Sequence, residues 1–186
     1  MSASKLQKIE IKNYSKEGIK NKVKRAINEF RKRDYSLLII DSSERSIAHR
    51  LACYLEYEFK KDDYNVDCEY NRRKDQPKMI WRFWAKIKKS VLGKKVYPDI
   101  IVHQRGTNEN NLLVIEIKKS SNKSQKERDF DLLKLKAYMH KGDEYQYKYA
   151  LFMDFFVKEN FKKYPVIQFF KDYREIDLES KYFGKI

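Results

Sequence analysis

Asp99, Glu116 and Lys118 are the residues of this chain whose types and spacing best suit chemistry. Asp99 follows Pro98 in a short apolar run, 97–103 (YPDIIVH). Glu116 and Lys118 sit two apart in a second run, 112–119 (LLVIEIKK). The stretch between them, 104–111 (QRGTNENN), carries Gly106 and three Asn, which is turn chemistry. The two runs therefore read as a hairpin that brings Asp99 level with Glu116. Side chains alternate along a strand, so Glu116 and Lys118 share a face and Ile117 points to the other. In so apolar a strand, charges need a purpose. Two carboxylates and an ammonium at one sheet edge suit a hard divalent cation beside a phosphate. The plainer alternatives are an Asp99 that only caps the chain and a solvated Glu116–Lys118 cross-strand pair.

The elements that must position these groups follow from periodicity. A helix opened by Ser42 or Ser43 is expected to run to about Phe59, with Ile47, Leu51 and Leu55 as its buried stripe. At about 100° per residue, Glu44 falls within that stripe and Glu56 outside it. An unpaired carboxylate on an inner face is costly, so Glu44 joins the candidates, the alternative being a favourable place at the helix N-terminus. A strand is expected at 66–70, where Asp67 and Glu69 share a face, and further strands at 97–103 and 112–118. Ser124-Gln-Lys-Glu127 reads as a capping box for a helix reaching about His140, with Gly142 as its stop. Strands at 145–155 and 166–170 and a short basic tail complete the chain. Upstream, Ile19, Val23, Ile27 and Phe30 mark a helix over 15–32, and 37–40 (LLII) is a strand or a buried lead-in. From residue 42 the order is helix, strand, insertion, strand, strand, helix, strand. That is an α/β chain with a mixed central β-sheet flanked by helices. Residues 1–41 read as a basic helical extension, and 42–186 as the main domain with a basic insertion at 71–96.

Charge says what such a site would face. The 186 residues carry a formal net charge of +15, unevenly spread. Segment 71–96 holds ten Lys or Arg and one acid, with Trp81, Phe83 and Trp84 interleaved. Cations beside aromatics suit nucleic acid, whose phosphates they hold and whose bases they stack. An amphipathic helix docking on the core is the structural alternative. Arg72, Arg73, Lys88 and Lys89 are the candidate phosphate contacts there. Lys119 and Lys134 are two more, set against a surface lysine and a stem lying along an apolar face. Cys53 and Cys68 make neither a disulfide framework nor a zinc spacing, and three scattered His argue against a histidine-metal nuclease. No apolar run approaches the roughly 20 residues that cross a bilayer, and the N-terminus lacks a signal-peptide core. A protein of the reducing cytoplasm, with no membrane partner, is expected.

Pro98-Asp99 followed by Glu116-Ile117-Lys118 on consecutive apolar strands resembles the PD-(D/E)xK, or restriction-endonuclease-like, nuclease superfamily. The likeness covers about 110 of the 186 residues. It implies a restriction-endonuclease-like core of order αβββαβ carrying an N-terminal helical extension. It also implies a Mg²⁺-dependent endonuclease, Mn²⁺ substituting, that hydrolyses phosphodiesters, DNA first. Asp99, Glu116, the Ile117 carbonyl and Glu44 would hold the ion. Lys118 would orient water or offset charge in the transition state. Glu44-Arg45-Ser46-Ile47 is similar to the helix start of the archaeal Holliday-junction-resolvase branch. Two alternatives stay open: a catalytically silent nucleic-acid-binding module or subunit of a larger restriction, repair or defence system, and an RNA-directed nuclease. A homodimer or a partner subunit is compatible with cutting two strands.

Overall fold

The computed structural model describes residues 14–70, 97–140 and 145–171, and by their backbone alone 72–73, 76–77 and 174–178. Helix α1 (Lys16–Arg33) starts at Ser15, whose Oγ accepts from the Gly18 N–H, the usual satisfaction of a free helix donor. Its stripe of Ile19, Val23, Ala26, Ile27 and Phe30 is buried. The run 37–40 is neither a strand nor a lead-in but part of a single helical turn, α2 (Ser36–Ile39). Leu38 alone of that turn is buried, Ile39 and Ile40 are exposed, and the chain reverses at Asp41 with a left-handed φ of 53°. Helix α3 (Glu44–Phe59) is capped by Ser43, whose Oγ accepts from Ser46 N at 3.1 Å. It buries Ile47, Leu51 and Leu55 as the spacing predicts.

Strand β1 (Asn65–Cys68) follows, then a two-residue antiparallel pair, β2 (Arg72–Arg73) and β3 (Gln76–Pro77). Then come β4 (Ile100–His103), β5 (Leu113–Lys119), α4 (Gln125–Tyr138), β6 (Tyr149–Phe155), β7 (Val166–Lys171) and β8 (Arg174–Leu178). The six-stranded sheet has the order β1-β4-β5-β6-β7-β8. Only β5 and β6 pair in parallel, and the other neighbours are antiparallel. A parallel pair needs a crossover, and α4 supplies it. The sheet is mixed and flanked by helices, an α/β architecture.

The period of two sorts β5. Leu113, Ile115 and Ile117 pack in one core with α1 and α3, whereas Val114 packs in a second core with Leu135, Ala137 and Tyr138 of α4. Helix α1, expected as an appendage, is thus part of the main core. Among the described residues no helix is long and apolar enough to cross a membrane.

At the β1–β4 edge, Asp67 Oδ2 lies 2.8 Å from Nε2 of the buried His103, and both Asp67 oxygens meet the Arg105 guanidinium. Burial would raise the Asp67 carboxyl, but the bonds from His103 and Arg105 outweigh it and hold it well below the ordinary range. A depressed folded-state value stabilises fully above the unfolded value near 4. It is lost as pH falls through the folded one. Asp67→Asn is therefore expected to cost about 2 kcal/mol at pH 7, with the difference from wild type shrinking toward pH 3. Urea midpoints at the two pH values measure it, and an equal loss at both would contradict the charge-based account.

Candidate active site

The register of β4 on β5 sets Ile100 opposite Ile115. The flanking residues Asp99 and Glu116 are therefore side by side, on the face covered by α4. Asp99 Oδ2 accepts a 2.6 Å hydrogen bond from the Ile117 N–H. Ile117 thus meets Asp99 with its backbone N–H, not with the carbonyl expected to hold an ion, while its side chain lies in the opposite core. Two residues along β5, Lys118 shares the face of Glu116, and both are nearly inaccessible, at 8% and 1% exposure.

Helix α4 completes the cluster with Asp131 and Lys134, one turn apart and buried at 5% and 8% exposure. Lys134 Nζ lies 2.7 Å from Glu116 Oε2 and 3.0 Å from Asp131 Oδ1. Lys118 Nζ lies 2.7 Å from Asp131 Oδ2 and 3.1 Å from Glu44 Oε2. The groups form one alternating chain, Glu116–Lys134–Asp131–Lys118–Glu44. Asn122 ties its outer end to α4: Nδ2 donates to Glu127 Oε2 at 2.9 Å and reaches Glu44 Oε1 at 3.4 Å. Ser124 caps α4, its Oγ accepting from Glu127 N, and the Glu127 side chain turns to Asn122.

Four carboxylates, Asp99, Glu116, Asp131 and Glu44, face two ammonium groups, so the acids outnumber the cations by two. Burial, with Asp131 adding to it, pushes Asp99 up to about 6 against the pull of the Ile117 N–H, Lys134 and Lys118. Burial drives Glu116 well above the ordinary carboxyl range, reinforced by Asp99 and Asp131 and opposed by Lys134. Burial opposes the charge on each lysine, but the carboxylates outweigh it and raise both.

One atom is conspicuous: Glu116 Oε1 is buried without a hydrogen-bond partner among the described residues, an arrangement that costs free energy unless something meets it. Among the described residues no three His, Cys, Asp or Glu side chains converge as a ready-made metal cage; the two ammonium groups alternate with the acids instead. An all-oxygen donor pair with one orphaned oxygen and an excess of negative charge fits a hard divalent cation.

The structure therefore joins Asp99, Glu116, Lys118 and Glu44, with Glu44 resting on Lys118 and Glu56 exposed. Lys134, expected at a phosphate, is inside the cluster on Glu116. Lys119 is also engaged: Nζ donates to Asp41 O and Ser42 O and pairs with Asp41 Oδ1 at 2.8 Å, which uses all three of its donors. Arg72 and Arg73 enter only by their backbone, and Lys88 and Lys89 lie outside the described residues. Glu69 pairs with Arg45. Asp131 was not among the candidates. Its signal is the spacing 131, 134, 135, 138, a helical stripe that contains two opposite charges.

No family model, curated protein or solved structure matches the chain.

Proposed function

We propose that the chain is a metal-dependent nuclease of the restriction-endonuclease-like class, most simply a DNA endonuclease. The observation that carries this reading is the buried pair of adjacent-strand acids, Asp99 and Glu116, with a lysine on the strand of Glu116 and a Glu116 oxygen left without a hydrogen-bond partner among the described residues. Asp99 and Glu116 are the residues that would hold Mg²⁺ or Mn²⁺, which when bound offsets phosphate charge and makes a water more acidic.

The chain's own groups divide the remaining work. The Ile117 N–H fixes Asp99 Oδ2, so that this carboxylate presents its other oxygen. Lys118 supplies a positive charge toward the phosphate as negative charge grows in the transition state. Asp131 and Glu44 grip Lys118 from two sides and fix where its charge sits. Burial keeps the local dielectric low, so each of these interactions is stronger than at the surface. The excess of Lys and Arg over the whole chain favours a polyanionic substrate.

Incubating purified protein with linear, single-stranded and branched DNA and with RNA, with and without Mg²⁺, tests the reading. Cleavage that appears only with Mg²⁺ or Mn²⁺ is expected, and cleavage of RNA alone would move the substrate from DNA to RNA. Binding without cleavage across the panel would favour the nucleic-acid-binding module. Lys118→Ala is expected to lower the cleavage rate about 10²- to 10³-fold with only a modest change in affinity, because its role strengthens in the transition state. An equal loss in rate and affinity would instead make Lys118 a ground-state contact.

A further inference from the structure

Of the two lysines buried among the described residues, Lys134 is the one that touches Glu116. Its ammonium sits 2.7 Å from Oε2 of a carboxylate whose second oxygen has no hydrogen-bond partner among the described residues. It also has a second acceptor at hand, since Asp131 Oδ1 lies 3.0 Å away, three residues back on the same helix. Beside it lies the Phe130 ring, whose centroid is 5.9 Å from Nζ, and its charge also acts on Asp99. Lys134 is 8% exposed, so water does little to screen it.

A divalent ion on Glu116 and an ammonium on the same carboxylate would repel strongly at such separations in so dry a place. One must give way. A lysine is well suited to doing so: its four-carbon stem is flexible and its charge is a compact point. Asp131 can keep hold of Nζ while the contact to Glu116 opens, and helix α4 need not move.

Resting on the metal-dependent reading of the site, we propose that the Lys134 ammonium is a resident cation that stands in for the divalent ion at Glu116. Loading of the site is an exchange. Lys134 Nζ leaves Glu116 Oε2 and stays on Asp131, which would free the Glu116 carboxylate to hold the divalent ion. Lys134 thus serves two ends. It keeps a buried carboxylate paired while no metal is bound, and it weakens metal binding by the charge that must first be moved aside. Lys118 does not play this part, because its partners are Asp131 and Glu44. Once off Glu116 and still held by Asp131, the Lys134 ammonium has a donor to offer a phosphate brought to the site by substrate.

Titrating the full chain with Mn²⁺ and reading free Mn²⁺ by electron paramagnetic resonance tests the exchange. Lys134→Gln keeps an amide that donates to Glu116 but removes the competing charge. It is expected to bind Mn²⁺ roughly tenfold more tightly than wild type, or better. A merely structural lysine predicts the opposite, weaker binding at a loosened site. Mn²⁺ binding by wild type, with equal or weaker binding by a folded Lys134→Gln, overturns the exchange and leaves the metal-dependent reading standing. No Mn²⁺ binding by either protein overturns both. Should the variant fail to fold, the wild type still decides. The buried Lys134 ammonium, followed by nitrogen-15 NMR, is expected to shift with the midpoint of a Mg²⁺ titration. A resonance unmoved at saturation overturns the proposal.

Discussion

Asp99→Asn is expected to yield a folded protein whose cleavage of nucleic acid falls about 10³-fold, which corresponds to about 4 kcal/mol of transition-state stabilisation. The substitution is nearly isosteric. Asn keeps a side-chain oxygen for the Ile117 N–H, which Asp99 Oδ2 now receives at 2.6 Å. What disappears is a negative charge in a place where burial already pushes the carboxyl up to about 6. A neutral group is easier to bury there, so the melting temperature should hold or rise. Nucleic-acid affinity should hold or improve, because a charge facing the phosphate has gone. Loss of activity with gain of stability is a combination that a structural acid would not give. Cleavage within about threefold of wild type, measured at saturating Mg²⁺, would remove Asp99 from the site.

The second large effect is on stability. Asp131→Ala deletes the middle of the alternating chain and takes a partner from Lys118 and Lys134 together. Removing one member of a buried ion pair costs about 3–5 kcal/mol, because the charges left behind are desolvated. For a chain of this size that is a fall in melting temperature of roughly 6–20 °C. The loss should persist in high salt, because buried pairs are poorly screened. Asp131→Asn, which keeps an acceptor, should lose less. Denaturant midpoints of the three proteins measure the difference, and a cost below about 1 kcal/mol would mean that the pairs behave as surface ones.

The parts of the site carried by apolar periodicity were legible in the sequence. The period of two in 112–119 places Glu116 and Lys118 together, and the stripe through Ile47, Leu51 and Leu55 selects Glu44 over Glu56. Helix α4 resisted the same method for a physical reason. Counting apolar residues sets Lys134 on the Phe130, Leu133 and Ala137 face, but Phe130 and Leu133 are only half-buried. The buried residues are Asp131, Lys134, Leu135, Ala137 and Tyr138, and two of the five are charged. A hydrophobicity pattern does not register a buried pair that satisfies itself, although opposite charges three apart on a helix are the mark of one. The engagement of Lys119 was not legible because its acceptors, the Asp41 and Ser42 carbonyls, come from about eighty residues away in sequence. The basic charge of α1 suggested an appendage, yet its apolar stripe packs against α3 and the sheet. Strand β8 falls where only a basic tail was expected.

The alternation along β5 has a consequence for folding fidelity. Lys118 turns toward Asp131 and Glu44, and its neighbour Lys119 turns the other way, toward Asp41. A slip of one residue against β4 or β6 would exchange the two faces. It would thrust Glu116 into the layer shared with α1 and α3, far from Lys134, and bring Ile115 and Ile117 among the charges. Every slip by an odd number of residues thus strands an ion in hydrocarbon. The side chains proposed here for catalysis therefore also act as alignment marks, selecting against misthreaded strands while the sheet assembles.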